Sequence, residues 1–207
     1  MAGLKPLVGV YGGTFDPPHN GHLILAEAAR VQLSLMRVIW VLTRRSPHKL
    51  AYSITPVEIR LQLLQAALAG FSEYEISRVE IDRPPPYYAV ETLRLLQTAH
   101  PNVGLIYLMG ADSLHDLPSW HKPREFVASC HIIGVMCRPG YKTNLDLLEK
   151  KLPGLKAKIS WIHTPLVDLS ASMIRQKIRK NQPYQQYLPP AVVDRIEKFQ
   201  LYRDREK

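Results

Sequence analysis

Residues Gly12-Gly13-Thr14-Phe15-Asp16-Pro17-Pro18-His19-Asn20-Gly21-His22 set a glycine turn and two histidines directly before a stretch rich in helix formers. Glycine lets a backbone approach a ligand closely, and a helix start presents unpaired N–H groups at the positive end of its dipole. His19 and His22, three positions apart, can project from one face as the helix begins, and Gly21 between them leaves room for a nucleotide. The chemistry this suits is phosphate binding. Taken alone, the same residues also read as an ordinary turn followed by histidines that cap a helix.

A second anion signal lies far along the chain, at Ser170-Ala171-Ser172-Met173-Ile174-Arg175. Ser170 is a good N-cap, and Arg175 follows just over a turn later, within reach of an anion held at the helix start. The dinucleotide fingerprint G-x-G-x-x-G and the P-loop G-x-x-x-x-G-K-[ST] do not occur, which argues against dehydrogenases and P-loop kinases. Cys130, His131 and Cys137 do not form a known zinc spacing, so no metal site is expected in the protein itself.

The elements that must carry these residues alternate. Leu7 to Tyr11, Val38 to Leu42, Val103 to Met109 and Ile132 to Cys137 are short apolar runs that read as strands buried on both faces. Leu23 to Leu35 reads as a helix, and so does the segment carrying Val90, Leu93 and Leu96. Between them, Thr55 is expected to cap a helix with Pro56 in its first position, Glu58 as capping-box partner, and Val57, Leu61, Leu64 and Leu68 along one side. Pro84-Pro85-Pro86 reads as a stiff connector and 139–158 as a loop-rich, lysine-rich insertion, while Ala191 to Leu201 is expected to pack back on the sheet as a last helix. Strand and helix in alternation predict a three-layer α/β fold around a mainly parallel twisted sheet, the whole of 1–207 forming a single domain. In such sheets ligands bind beyond the carboxyl ends of the strands. Gly12-Gly13, Gly110-Ala111-Asp112 and Arg138 each follow a strand candidate and converge on that edge.

Lysine and arginine number 27 against 18 acidic residues, a net charge of +9 that favours a polyanionic ligand. The basic residues are scattered in small groups rather than gathered in the long block of a nucleic-acid arm, so composition favours an anion site without choosing its size, and no nucleic-acid partner is expected. No run approaches the roughly 20 apolar residues a membrane span needs, and two cysteines in or beside an apolar stretch fit a reducing, cytoplasmic setting.

Both anion motifs together make the chain resemble the HxGH nucleotidyltransferases with a Rossmann-like fold, specifically the bacterial nicotinate-nucleotide adenylyltransferases of NAD synthesis. The likeness extends through Ser46-Pro47-His48-Lys49, Tyr88 with Thr92-Leu93, Gly110-Ala111-Asp112-Ser113-Leu114, Pro118-Ser119-Trp120-His121, Arg138-Pro139-Gly140 and the closing Leu201-Tyr202-Arg203. It implies adenylyl transfer from ATP, accompanied by Mg²⁺, to a pyridine mononucleotide. It further implies that His19, His22 and Arg175 act on the reacting phosphates, and that Gly13, Thr14, Phe15, Lys49, Gly110, Ser170 and Ser172 hold ATP. Tyr88, Ala89, Asp112, Trp120, His121 and Arg138 would receive the acceptor, with Asp112 on its ribose, Trp120 stacked on its pyridine, and backbone amides near Ala89 and His121 facing the nicotinate carboxylate. The chain departs from the family at Tyr87-Tyr88-Ala89, where Ser-Tyr-Thr is common, at Ser172, where threonine is usual, and at Thr43-Arg44-Arg45. Nicotinamide mononucleotide and phosphopantetheine are the alternative acceptors, and a basic α/β module that binds nucleic acid without catalysis is the alternative of another class. A monomer or a small homo-oligomer is compatible with all of these.

Overall fold

A computed structural model describes residues 5–44, 54–136, 143–164 and 169–203. Six strands, β1 (Leu7–Gly13), β2 (Arg37–Leu42), β3 (Tyr74–Ser77), β4 (Gly104–Gly110), β5 (Ile132–Met136) and β6 (Ile159–Ile162), form one sheet in the order β3-β2-β1-β4-β5-β6, with every neighbouring pair parallel. Strand order reverses between β1 and β4, which opens a crevice past their carboxyl ends. The glycine turn follows β1 and Gly110 closes β4, so both candidate motifs lie at that crevice.

Burial on both faces explains why the central strands are almost wholly apolar. On one face Val8, Val10, Ile39, Val41, Leu105 and Met109 pack with Val90 and Leu93 of α3 (Ala89–Ala99) and with Phe126 and Val127 of α5 (Pro123–Ser129). On the other, Tyr11, Val38, Trp40, Leu42, Ile106 and Leu108 pack with Leu25, Ala26 and Ala29 of α1 (Asn20–Gln32) and with Val57, Leu64 and Leu68 of α2 (Val57–Leu68). The expected three layers are therefore present, with side chains alternating between faces at the strand period of two.

Several boundaries differ from the sequence reading. Helix α1 begins at Asn20, with His19 as N-cap and His22 inside the first turn, and ends at Gln32, short of Leu35. Pro56, not Thr55, is the N-cap of α2; Thr55 instead gives its N–H to Asp16 Oδ2 at 3.2 Å and its carbonyl to Arg60. The stretch 139–158, read as loop-rich, contains α6 (Leu145–Lys151), which Asn144 caps by accepting from the Leu147 N–H. The short helix α4 (Ala111–Asp116) follows β4 directly. The last helix, α8 (Pro190–Lys198), does not rest on the sheet. Its Val192 and Ile196 pack with Leu63 and Ala67 of α2 and with Ile174 and Ile178 of α7 (Ala171–Arg179), because the outer face of α2 is itself apolar and needs cover. Among the described residues no helix is long and apolar enough to cross a membrane.

Candidate active site

The turn after β1 is held tightly. Phe15 takes a left-handed backbone (φ 47°), unusual for a residue with a Cβ, and its ring is buried edge-on to Tyr11 (5.6 Å between centroids) and against Trp40 and His22. Gly13 makes this possible, since a Cβ there would stand 2.7 Å from the Phe15 ring. Phe15, expected from the resemblance to hold ATP, instead supports the loop from beneath and borders neither of the two clefts at the β1/β4 crevice.

Arg60, 1% exposed, is the second support. Its guanidinium donates to the carbonyls of Thr55 (2.8 Å), Thr14 (2.7 Å), Thr43 (2.8 Å) and Arg44 (2.7 Å), gathering the loops after β1 and β2 and the entry to α2 around one cation. Burial pushes its pKa down, while the charge of Asp16 opposes this. Asp16 is buried as well; Tyr202 donates its hydroxyl to Asp16 Oδ1 at 2.7 Å, and the Asp16 carbonyl accepts from Arg175 Nη1 at 2.7 Å. Burial and the neighbouring Asp16 carboxylate push the Tyr202 phenol well above its ordinary range, so it stays a donor. Arg60 gave no signal in the sequence, where a lone arginine on an amphipathic helix reads as a solvated charge.

On this base the two histidine rings lie stacked, 3.7 Å between centroids and 25° apart. The His19 backbone N–H donates to His22 Nδ1 at 3.2 Å. Nδ1 is thereby the acceptor, and a neutral His22 carries its proton on Nε2. The room at Gly21 is used by the protein itself, since a Cβ there would stand 3.0 Å from His19 Nδ1 and 3.4 Å from Leu169 Cβ.

Two clefts adjoin at the β1/β4 crevice. The first, of about 170 Å³, is lined by His19, Gly21, His22, Gly110, Thr164 and Leu169 among others. The second, of about 290 Å³, is lined by Gly13, Thr14, Glu80, Tyr88, Ala89 and His121 among others. Gly12, Tyr107, Asp112, Ser113 and Trp120 border both, so a ligand in one cleft is adjacent to a ligand in the other. Tyr88 caps α3 and its ring stacks on that of His121 at 3.9 Å. Trp120 is half-buried, edge-on to Phe126 and Tyr107, and borders the clefts with the rest of its ring. Asp112 is exposed in the first turn of α4 and caps nothing with its side chain.

The structure thus gathers His19, His22, Gly110, Gly13, Thr14, Tyr88, Ala89, Asp112, Trp120 and His121 along one continuous crevice. Ser170 caps α7 by accepting from the Met173 N–H at 3.2 Å and lies 3.1 Å from the Ser172 hydroxyl. Both serines border a separate open cleft of about 610 Å³ with Arg179 and Lys180, while neighbouring Leu169 reaches the first cleft. Arg175 is tied to the loop through Asp16. Lys49 and Arg138 lie outside the described residues. Among the described residues no three His, Cys, Asp or Glu side chains gather as around a metal ion. The sequence reading missed Glu80, buried beside the second cleft, for the same reason it missed Arg60.

Comparison with known proteins fits this geometry. Residues 10–177 match the cytidylyltransferase-like family. A probable nicotinate-nucleotide adenylyltransferase of Thermomicrobium roseum is 39% identical over 95% of this chain and 91% of its own length. Its counterpart in Roseiflexus castenholzii is 40% identical over 94% and 97%. In fold, the chain superimposes on Plasmodium falciparum nicotinic acid mononucleotide adenylyltransferase complexed with NaAD, with a TM-score of 0.75 over 95% of this chain and 97% of that one at 22% identity. With two adjoining clefts at the switch point of a parallel sheet and matches that run nearly end to end, the chain belongs to the cytidylyltransferase-like family and, within it, to the nicotinate-nucleotide adenylyltransferases.

Proposed function

We propose that this enzyme transfers the adenylyl group of ATP to nicotinate mononucleotide, yielding deamido-NAD and pyrophosphate, in the cytoplasm. The observation that carries this reading is the pair of clefts sharing Gly12, Tyr107, Asp112 and Trp120, with the stacked histidines on one side and the α3 start on the other. A two-substrate transfer needs two sites whose ligands touch.

ATP takes the histidine cleft, its phosphates meeting His19, His22 and the amides that follow β1, with Gly110 on the facing strand end. Arg175 braces this loop through the Asp16 carbonyl, while Ser170 and Ser172 at the neighbouring α7 start, with Lys49, meet the outer phosphates. Mg²⁺ enters on the triphosphate as part of the substrate, since magnesium binds through phosphate oxygens and keeps several of its waters. The acceptor takes the second cleft, its pyridine on Trp120, its ribose at Asp112 and its carboxylate at the start of α3 near Ala89 and His121. Tyr88 and Arg138 border the same acceptor.

No protein nucleophile is required. A phosphate monoester has a second pKa near ~6 and is largely dianionic at neutral pH. One of its oxygens attacks the ATP α-phosphorus in line; the bond from that phosphorus to the bridging oxygen breaks and pyrophosphate leaves with the electron pair. His22, donating from Nε2, and the surrounding cations neutralise charge that grows on the phosphoryl oxygens. The test is Mg²⁺-dependent pyrophosphate release from ATP with nicotinate mononucleotide, nicotinamide mononucleotide or phosphopantetheine. Preference for the first is expected, and preference for either of the others refutes the acceptor assignment.

A further inference from the structure

Glu80 is 4% exposed, lines the second cleft, and has one oxygen already engaged. Oε1 accepts from the Thr92 hydroxyl at 2.6 Å, the shorter of that hydroxyl's two acceptor contacts, the other being the Tyr88 carbonyl at 3.2 Å, while Arg83 Nη2 donates to the hydroxyl oxygen at 3.1 Å. Oε2 is buried and makes no hydrogen bond of ordinary geometry. Arg83 also holds the Pro86 carbonyl with Nη1 at 2.6 Å and lies over the Tyr87 ring, while its buried Nε makes no hydrogen bond. Among the described residues Glu80 makes no ion pair, although the nearby Arg83 charge favours its ionised form. A buried carboxyl left in this way, beside a cleft meant for a ligand, has one oxygen still to be answered.

The cleft also contains the start of α3, where Ala89 opens the helix after a Tyr88 cap that makes no side-chain hydrogen bond. Resting on the acceptor assignment above, we propose that Glu80 is a specificity-determining residue that meets the acceptor's ring carboxylate as a neutral carboxyl, donating from Oε2. Two carboxylates at one site share a proton rather than ionise together, and Thr92 fixes Oε1 as the acceptor so the proton belongs on Oε2. A carboxamide reverses the preference. Its NH₂ group is a donor and is best received by the ionised carboxylate, so loss of the Glu80 proton weakens the acid and favours the amide.

The remaining charges around Glu80 set where it titrates. Thr92 comes from α3, Arg83 from the segment before it, and Thr43 from the end of β2; these favour the ionised form. Burial opposes them and is the largest influence, holding the carboxyl above its ordinary range. Tyr107 from β4 is buried nearby and is itself pushed up, in part by the charge of Glu80, so it remains neutral. Asp112 and Asp116 of α4 and His121 beyond it border the same cleft.

The experiment follows the ratio of kcat/KM for nicotinate mononucleotide over nicotinamide mononucleotide as a function of pH. Titration of the acceptor phosphate is common to both substrates and cancels. In the wild type the ratio should fall as pH rises through Glu80's titration, at up to about tenfold per pH unit for a single proton. Glu80→Gln carries a fixed donor where the Oε2 proton would be, so its ratio should stay high and flat, with the acid's KM within about threefold of wild type. Glu80→Ala should raise the acid's KM tenfold or more while leaving the KM of ATP unchanged. A ratio that is flat in the wild type, or that falls equally in Glu80→Gln, overturns the proposal, as does a Glu80→Gln variant that loses the acid as fully as Glu80→Ala. Should Glu80→Gln fail to fold, the wild-type profile alone still decides. Trp120→Ala separates the two levels. If it raises the acceptor KM while the Glu80 variants do nothing, the cleft assignment stands and the Glu80 role falls; if it too leaves acceptor KM unchanged, the cleft assignment fails first.

Discussion

Replacing Arg60 by methionine keeps the volume of the side chain and removes its donors, leaving the carbonyls of Thr14, Thr43, Arg44 and Thr55 without the cation that gathers them. Each hydrogen bond to a charged group contributes about 1.5–3 kcal/mol net, which gives about 6–12 kcal/mol gross for four. Against this stands the cost of burying the guanidinium, several kcal/mol, which the variant no longer bears. The difference is about 3–5 kcal/mol, the range found when one side of a buried charged cluster is removed. For a chain of this length each kcal/mol moves the midpoint by about 2–4 °C, so Tm should drop by about 6–20 °C. Arg60→Lys keeps the charge, but a compact ammonium with three donors cannot span carbonyls on three segments, and less than half of the loss should be recovered. Urea unfolding followed by tryptophan fluorescence measures the change. Because Thr14 also borders the second cleft, kcat/KM should decline alongside stability at temperatures where the variant is still folded. A stability change under about 1 kcal/mol with unaltered kinetics would show that the loops hold themselves, and that the four contacts are incidental.

Three further outcomes follow from the site. His22→Ala should lower kcat by roughly 10²-fold or more, since it removes a contact to developing charge, while the protein stays folded with a lower Tm from the lost stack on His19 and the lost His19 N–H bond; near-wild-type turnover excludes the proposed role. Gly21→Ala puts a Cβ 3.0 Å from His19 Nδ1, so the imidazole must give by a few tenths of an ångström. Turnover should fall about tenfold, while helix stability rises by up to about 1 kcal/mol from the glycine-to-alanine change; unaltered kcat would mean that the position of the His19 ring is not critical. Cys130 is buried and its thiol is pushed up to about 12 by desolvation, so in a Cys137→Ser background a thiol reagent should react only after urea unfolding. Rapid labelling of the native protein would contradict that burial.

What the sequence revealed and what it hid divide along a physical line. The central strands β1, β2, β4 and β5 are legible because burial on both faces demands an unbroken apolar run, and such runs stand out from any neighbourhood. Strands β3 and β6 form the two edges, with one neighbour each and four residues each, and Tyr74-Glu75-Ile76-Ser77 is only half-buried; nothing in so short a mixed stretch separates it from a loop. The histidine pair is legible because its residues are contiguous, so the spacing is the geometry. Arg60 and Glu80 are the opposite case. Arg60 finds carbonyls up to 46 positions away, and Glu80 owes its burial to the meeting of β3, α3 and β4 rather than to any local pattern. A charged residue surrounded by ordinary helix and loop formers is normally solvated, so its burial cannot be inferred until the fold supplies the partners. Catalytic groups that touch phosphate recur as motifs because glycine, helix start and histidine must be adjacent in the chain to do the work. The charges that brace those groups, or choose between an acid and an amide, can come from anywhere the topology brings near. Motif reading in this fold therefore identifies the reaction before the acceptor, and acceptor selectivity has to be sought among buried side chains with an unanswered polar atom.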